Sequence, residues 1–357
     1  MKKFLILLSI ILLIYLLLIN KNLFINDSKD LPTHKENNSI HKGVALTLLD
    51  PYNTDKFYDE ILPKIKDLNA ELEIVTKVNV NNPRDSNPIN DPYIKDKLNR
   101  LFAKSEEYGV KVSVIKPHLM TPENGDSFDR GTYNPQDTKA FFSKWKNIIL
   151  YYAKVSEEHN VSFLSITCET SIITQNTYIP YWQEIINEVK KKYPKVKLTM
   201  AFKKSDLDRE IAYHENGVIS IIPFLDNISL NMFPKVKREY VKKKNIVPSD
   251  DIFLNSPETY GFVTTIRKAN QYYDKDVLIT EAGASSRTDL TKNYLNPFFF
   301  DNTAPKDHND QNQWVRIVLS VLLQMKEVKG IYVWHVDHPF EFLGTSTAET
   351  VRKLYSK

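Results

Sequence analysis

The sequence predicts an α/β protein: a (β/α)8 TIM barrel preceded by an N-terminal membrane segment and a short tether. Three observations carry that expectation. Eight short runs rich in β-branched residues recur from Gly43 onward, separated by amphipathic helical stretches. The runs are apolar almost throughout rather than alternating, as strands covered on both faces should be. Polar or aromatic residues stand at the ends of most runs, where a barrel carries its function.

The chain opens with MKKFLILLSIILLIYLLLIN, in which Lys2 and Lys3 precede an apolar stretch from Phe4 to Ile19 broken only by Ser9 and Tyr15. Residues 1–20 read as a signal anchor or a signal peptide, and the absence of an Ala-x-Ala site favours the anchor, with the lysines inside. Either way the remaining chain is expected outside the cytoplasmic membrane: single-pass and surface-held, or secreted if the segment is cleaved. Residues 21–41 are polar and aperiodic and read as a linker. Residues 42–357 then form the barrel.

The strand runs are GVALTLL from Gly43, LEIVTKVNV from Leu72, VKVSVIK from Val110, VSFLSIT from Val161, VKLTMAF from Val196, NISLNMF from Asn227, VLITEAG from Val277 and GIYVWHV from Gly330. Between them, Asp91-Pro92, Asn134-Pro135 and Ser256-Pro257 each offer a capping side chain before a proline, the pattern of a helix start. Gly109 sits where a left-handed cap would end the second helix. From Thr177, Trp182, Ile185, Ile186 and Val189 share one helix face, and lysines gather at its C-terminal end. An open doubly wound sheet is the competing architecture. Such a sheet usually carries a glycine-rich first turn, and the nine glycines form no G-x-G-x-x-G.

Composition narrows the function. The net charge of +4 comes from 48 basic and 44 acidic residues spread along the chain, unlike the concentrated basic stripe of a nucleic-acid binder. The single cysteine, Cys168, cannot form an internal disulfide and excludes lipid attachment near the N-terminus.

Read in order, the strand ends supply Asp50, then Lys116 with His118, Glu169, Asn231, Glu281, and Trp334 with His335. Glu169 and Glu281 end the fourth and seventh runs, so their carboxylates can face each other across a barrel mouth. Two such carboxylates are the minimum apparatus for hydrolysing a glycosidic bond. Lys116 and His118 are expected to bind sugar hydroxyls or to tune Glu169. Trp334 offers a face for sugar C–H groups, and His335 and Asn231 complete the expected substrate contacts. Phe298, Phe299 and Phe300 offer an aromatic cluster after the seventh strand, as a sugar platform or as packing beneath the loop.

The segment from Gly43 to about His338 resembles glycoside hydrolases of clan A, most closely the β-mannanase-like family 113. The resemblance rests on Lys116-Pro117-His118, the Glu169 strand followed by the Tyr181-Trp182 helix, Leu225-Asp226 leading into Asn231, Ile279-Thr280-Glu281-Ala282-Gly283, and Val333-Trp334. It implies a retaining double displacement with Glu169 as acid/base and Glu281 as nucleophile. Two positions depart from the clan. Cys168 stands where many members place an asparagine before the acid/base, although family 113 does not keep it. Phe233 is the nearest candidate for a tyrosine that supports the nucleophile in many relatives.

The expected partner is a polysaccharide or oligosaccharide, with β-mannan the first to test. No cofactor, no metal and no nucleic acid is expected, and the protein is expected to be monomeric apart from its membrane contact. Two other readings stay open. One is a surface-anchored, non-catalytic carbohydrate-binding barrel. The other is a metal-dependent barrel hydrolase using Lys116, His118, His335 and His338, which lacks a third ligand at suitable spacing.

Overall fold

The structure, a computed structural model, describes residues 40–49, 53–249, 261–287, 293–298 and 303–357. The segments expected as membrane anchor and tether, up to Ser39, lie outside these residues, as do Asp50, Ser256-Pro257, Phe299 and Phe300. Among the described residues no helix is long and apolar enough to cross a membrane.

Eight strands form the barrel: β1 (His41–Thr47), β2 (Glu71–Asn79), β3 (Val112–Met120), β4 (Phe163–Cys168), β5 (Lys197–Phe202), β6 (Ile228–Asn231), β7 (Val277–Ala282) and β8 (Val328–Val333). Each pairs in parallel with its sequence neighbours, and β1 closes the ring by pairing with both β2 and β8. Strand β1 therefore opens at His41, the last residue of the expected linker. Among the described residues eight α-helices cover the outside: α1 (Asp55–Asp67), α2 (Ile94–Tyr108), α3 (Thr138–Glu158), α4 (Ile179–Lys192), α5 (Lys204–Glu215), α6 (Phe262–Tyr273), α7 (His308–Leu322) and α8 (Ser346–Tyr355). A two-residue strand, Ile89–Asn90, runs antiparallel to β2, and Val236–Lys237 pairs with Tyr294–Leu295 above the barrel.

Local chemistry explains the helix ends. Gly109 terminates α2 at φ 63°, a conformation that glycine adopts without a Cβ penalty. In α4, Trp182, Ile185, Ile186 and Val189 are all buried, and Lys190, Lys191 and Lys192 occupy the last turn. The expected start at Asn134-Pro135 is corrected. Helix α3 begins at Thr138, where the Asp137 carboxylate accepts from Ala140 N at 2.9 Å, while Asn134 N is taken up by Pro83 O. Asp91 accepts from Tyr93 N and pairs with Lys97 at 2.6 Å in the turn just before α2, three residues ahead of its first residue, Ile94.

The main core lies between the strands and the helices. A second, small apolar plug fills the lower barrel with Val114, Phe163, Leu278 and Tyr332. Above it the interior turns polar, because residues two apart share a face of a strand. Val114 is followed inward by Lys116 and His118 on β3, and Leu278 by Thr280 on β7. Two irregularities then shape the top. Strand β4 advances three residues from Ser165 to Cys168 while β5 advances two, from Thr199 to Ala201. Strand β7 likewise advances from Ile279 to Glu281 while β6 moves one residue, from Leu230 to Asn231. Each is a β-bulge, and bulges re-aim side chains.

Candidate active site

Glu169 is the first residue past the β4 bulge and takes φ 55°, a left-handed conformation uncommon for glutamate. Its amide donates to Ala201 O at 2.8 Å. The Ser165 hydroxyl fills the bulge, donating to Thr167 O and accepting from Ala201 N. The Glu169 carboxylate accepts from Asn231 Nδ2 at 3.0 Å and lies 3.5 Å from Arg130 Nη2. Asn231 is itself oriented by Thr280, whose hydroxyl donates to its Oδ1 at 2.9 Å.

Glu281 is buried on the β7 bulge. Its Oε1 accepts from Lys116 Nζ at 2.8 Å, with Cys168 Sγ at 3.8 Å and His118 Nε2 at 3.7 Å. Burial pushes its carboxyl up to about 7, against the pull of Lys116, and the charge of Glu169 adds to the rise. Lys116 is completely buried. It donates to Thr280 O at 3.1 Å, approaches Glu73 Oε1 at 2.5 Å, and lies 5.0 Å from the centre of the Trp334 ring. Burial alone would lower its ammonium, but the charges of Glu281 and Glu73 outweigh that and raise it.

Glu73, in the middle of β2, is fully buried, and burial raises it to about 7 against the opposing charge of Lys116. Its contact with Lys116 is close but not directed, since neither oxygen takes a well-aligned hydrogen bond.

His118 Nδ1 is paired with Asp126 Oδ1 at 2.8 Å, and its Nε2 has no hydrogen-bond partner. Burial lowers the ring to about 4, so it is neutral near pH 7, with Nδ1–H donating to Asp126. Burial would raise the Asp126 carboxyl, but that donor and the Arg130 guanidinium, which donates to Asp126 Oδ1 at 2.9 Å, hold it well below the usual range. His335 accepts from Asp337 N at Nδ1, which leaves Nε2–H to donate to Thr47 Oγ1 at 2.9 Å. Burial lowers this ring to about 3. Cys168 is buried, and burial raises its thiol well above the ordinary value, so it remains protonated.

These groups surround a cavity of about 540 Å³ lined by Glu169, Glu281, Arg130, Trp334, His335 and Phe233, among others. A second lobe of about 400 Å³ adjoins it, sharing Glu169, Phe233 and Phe298. Just past the ends of β7 and β8, at Gly283 and Trp334, the two backbones come very close. A Cβ on Gly283 would sit 1.7 Å from Trp334 O, so only glycine fits.

All seven candidate side chains converge here, but not in one layer. Lys116 and His118 are fully buried beneath Glu281 rather than lining the cavity, and their contacts run to Glu281 instead of Glu169. Asn231 lines only the second lobe. Phe233 packs against Phe298, ring centres 4.5 Å apart, and Phe340. Three participants escaped sequence reading. Glu73 left a usable signal, a lone carboxylate inside an apolar run, whereas Asp126 sits in a turn and Arg130 opens a short 3-10 helix, neither with a pattern. His335 and His338 do not form a metal-binding pair, because His335 is committed to Thr47 and Asp337. The donors His118, Cys168 and Glu281 lie within 4.8 Å of one another. The Lys116 ammonium already occupies Glu281 Oε1, and the thiol keeps its proton, so a cation there would have to displace both.

Comparison with known proteins fits this geometry. The model of Glycoside Hydrolase Family 113 matches residues 95–357. No curated protein matches the chain. Among solved structures, a GH113 β-1,4-mannanase is similar at TM-score 0.69 and 18% identity, covering 89% of this chain and 99% of that one. The GH113 β-mannanase from Alicyclobacillus acidocaldarius, in complex with ManMIm, is similar at TM-score 0.64 and 15% identity, covering 89% and 97%. A β-D-glucuronidase from Dictyoglomus thermophilum shares the barrel at TM-score 0.54 and 13% identity, covering 89% of this chain and 51% of its own. A family match over most of the barrel, on a ring whose two bulged strands aim glutamates into one cleft, makes the chain a glycosidase belonging to glycoside hydrolase family 113.

Proposed function

We propose that the protein hydrolyses a β-linked glycan with retention of configuration, with Glu281 as nucleophile and Glu169 as acid/base, and that β-mannan is the first substrate to test. The observation that carries this reading is the placement of the two carboxylates. Glu281 lines only the first lobe, beside Trp334, while Glu169 lines both and stands where the lobes meet. A sugar in the first lobe presents its anomeric carbon to Glu281, and the bond to be broken then lies beside Glu169. The similar family members are β-mannanases, which favours a β-mannan substrate.

In this mechanism Glu169 protonates the leaving oxygen while Glu281 attacks, forming a covalent glycosyl ester. Glu169 then takes a proton from water as the ester is hydrolysed. Asn231 and Arg130 hold the Glu169 carboxylate, and Lys116 offsets the charge of Glu281 when it is ionised. The Lys2-Lys3 start and the apolar stretch to Ile19 support a surface-tethered enzyme acting outside the cytoplasmic membrane. Fractionation with protease accessibility on intact cells tests that placement, and barrel digestion only after lysis would refute it.

A screen of β-linked glycans with wild type, Glu169→Gln and Glu281→Gln tests the chemistry. Wild type alone should cleave at full rate, and NMR of the first product should show the β-anomer. Equal hydrolysis by all three proteins, or an initial α-anomer, would overturn the assignment.

A further inference from the structure

The two lobes of the cleft differ in charge. The first carries Asp126, Glu169, Glu281 and Asp337 against Arg130, with two histidines, His338 and the buried, neutral His335. In the second, the charged side chains among the described residues are Glu169 and three lysines, Lys203, Lys204 and Lys235. Lys203 directly follows β5, Lys204 opens α5, and Lys235 follows β6, so all three come from the functional end of the barrel. Phe233, Phe262 and Phe298 supply apolar surface beside them.

We propose that this lobe is a subsite for an acidic sugar: the leaving-group unit of the substrate carries a carboxylate or phosphate ester that Lys203, Lys204 and Lys235 bind. The inference rests on the proposed roles of the two glutamates. Because Glu281 belongs to the first lobe alone, the sugar that it attacks sits there, and the unit protonated by Glu169 must extend into the second.

The ion pairs that hold Lys203 and Lys204 leave both available to a ligand. Lys203 pairs with Asp129 at 2.8 Å and Lys204 with Asp208 at 2.5 Å. Neither aspartate lines the lobe, and their side chains are 61% and 43% exposed. With both carboxylates open to water and the lysines themselves 33% and 24% exposed, these ion pairs are only partly shielded, so a ligand anion can compete for the ammonium groups. Lys203 also interacts with the charge of Glu169. An anion bound to it would lessen the positive field at the group that must hand over a proton.

Calorimetric titration of the full-length, turnover-deficient Glu281→Gln protein tests the subsite. The ligands are a neutral β-linked oligosaccharide, a counterpart with a uronic acid on the leaving-group unit, and one with a 6-phosphate there. Each is run at low and at high salt. An acidic ligand should bind about tenfold tighter or more at low salt, with the advantage shrinking as salt rises. Lys203→Gln/Lys204→Gln/Lys235→Gln, added to the same protein, should abolish that advantage and leave the neutral ligand unchanged, which also reports an intact cleft. The tighter of the two acidic ligands identifies the anion. Equal binding of neutral and acidic ligands, or a preference that survives the triple substitution, overturns the subsite while leaving the hydrolase reading intact. Failure of every oligosaccharide to bind would bring down both.

Discussion

The Lys116 ammonium lies 2.8 Å from Glu281 Oε1, beneath the floor of the cleft and out of reach of substrate. The same nitrogen also approaches Glu73, so one buried cation serves two carboxylates. Its role is to position and charge-balance Glu281. Lys116→Met should lower kcat/KM by about 10²-fold or more, since an electrostatic partner of a reacting group commonly contributes that much. With the cation gone, burial and Glu169 push Glu281 further up, so the acid limb of the pH–rate profile should move to higher pH. A variant with an unshifted limb would show that Lys116 serves packing alone.

The pH dependence of wild type follows from the same carboxyl. Glu281 must be ionised to attack, and its ionisation lies near 7 in the free enzyme. The acid limb of kcat/KM is therefore expected near pH 7 rather than near the ordinary carboxylate value. A limb below pH 5 would remove Glu281 as the group it reports.

Stability should carry a matching signature. Glu73 and Glu281 both hold protons in the folded protein that the unfolded chain releases at lower pH. Their contribution is therefore most favourable below the unfolded value of 4.5, and it is lost as pH rises through about 7. Glu73→Gln removes one of the two groups. Relative to wild type, its Tm should gain by a few degrees between pH 5 and pH 8, because a tenfold difference in proton affinity between folded and unfolded chain is worth roughly 1.4 kcal/mol. Parallel Tm curves for the two proteins would contradict a buried, proton-holding Glu73.

Cys168 touches Glu281 at 3.8 Å, yet it is buried and its thiol is kept protonated. Iodoacetamide should leave it unmodified in the native protein and alkylate it after denaturation, as read by intact mass. Cys168→Ala should cost less than about tenfold in kcat/KM, because a thiol is a weak donor.

Gly283→Ala should be poorly tolerated, since its Cβ would overlap the Trp334 carbonyl. Denaturant unfolding should show a loss of about 1–3 kcal/mol or more, as overpacking that forces the backbone to shift costs.

The barrel was legible because its strands are buried on both faces, and runs such as VSFLSIT and VLITEAG announce that without help from neighbours. Glu169 and Glu281 were legible for the same reason, as charges ending apolar runs. The helix start near Asn134 was not. Both Asn134 and Asp137 are capping residues, and long-range bonds such as those from Asn134 N to Pro83 O and Gln136 N to Arg84 O decide between them. Asp126 and Arg130 were invisible because their importance lies in reaching His118 and Glu169 across a loop. The depth of Lys116 was equally hidden, since side chains at a strand end share one pattern whether they meet substrate or lie beneath it.

The bulge in β7 sets a limit on how this site can change. Leu278 and Thr280 face the barrel interior, and strict alternation would turn Glu281 outward to the helix layer. The added residue lets two successive side chains face inward: Thr280, which steers Asn231 and through it Glu169, and Glu281 itself. A regular strand could offer one of these but not both. The two carboxylates are thus tied to a single backbone step, and a shift in that step would misplace the proton donor and the nucleophile together.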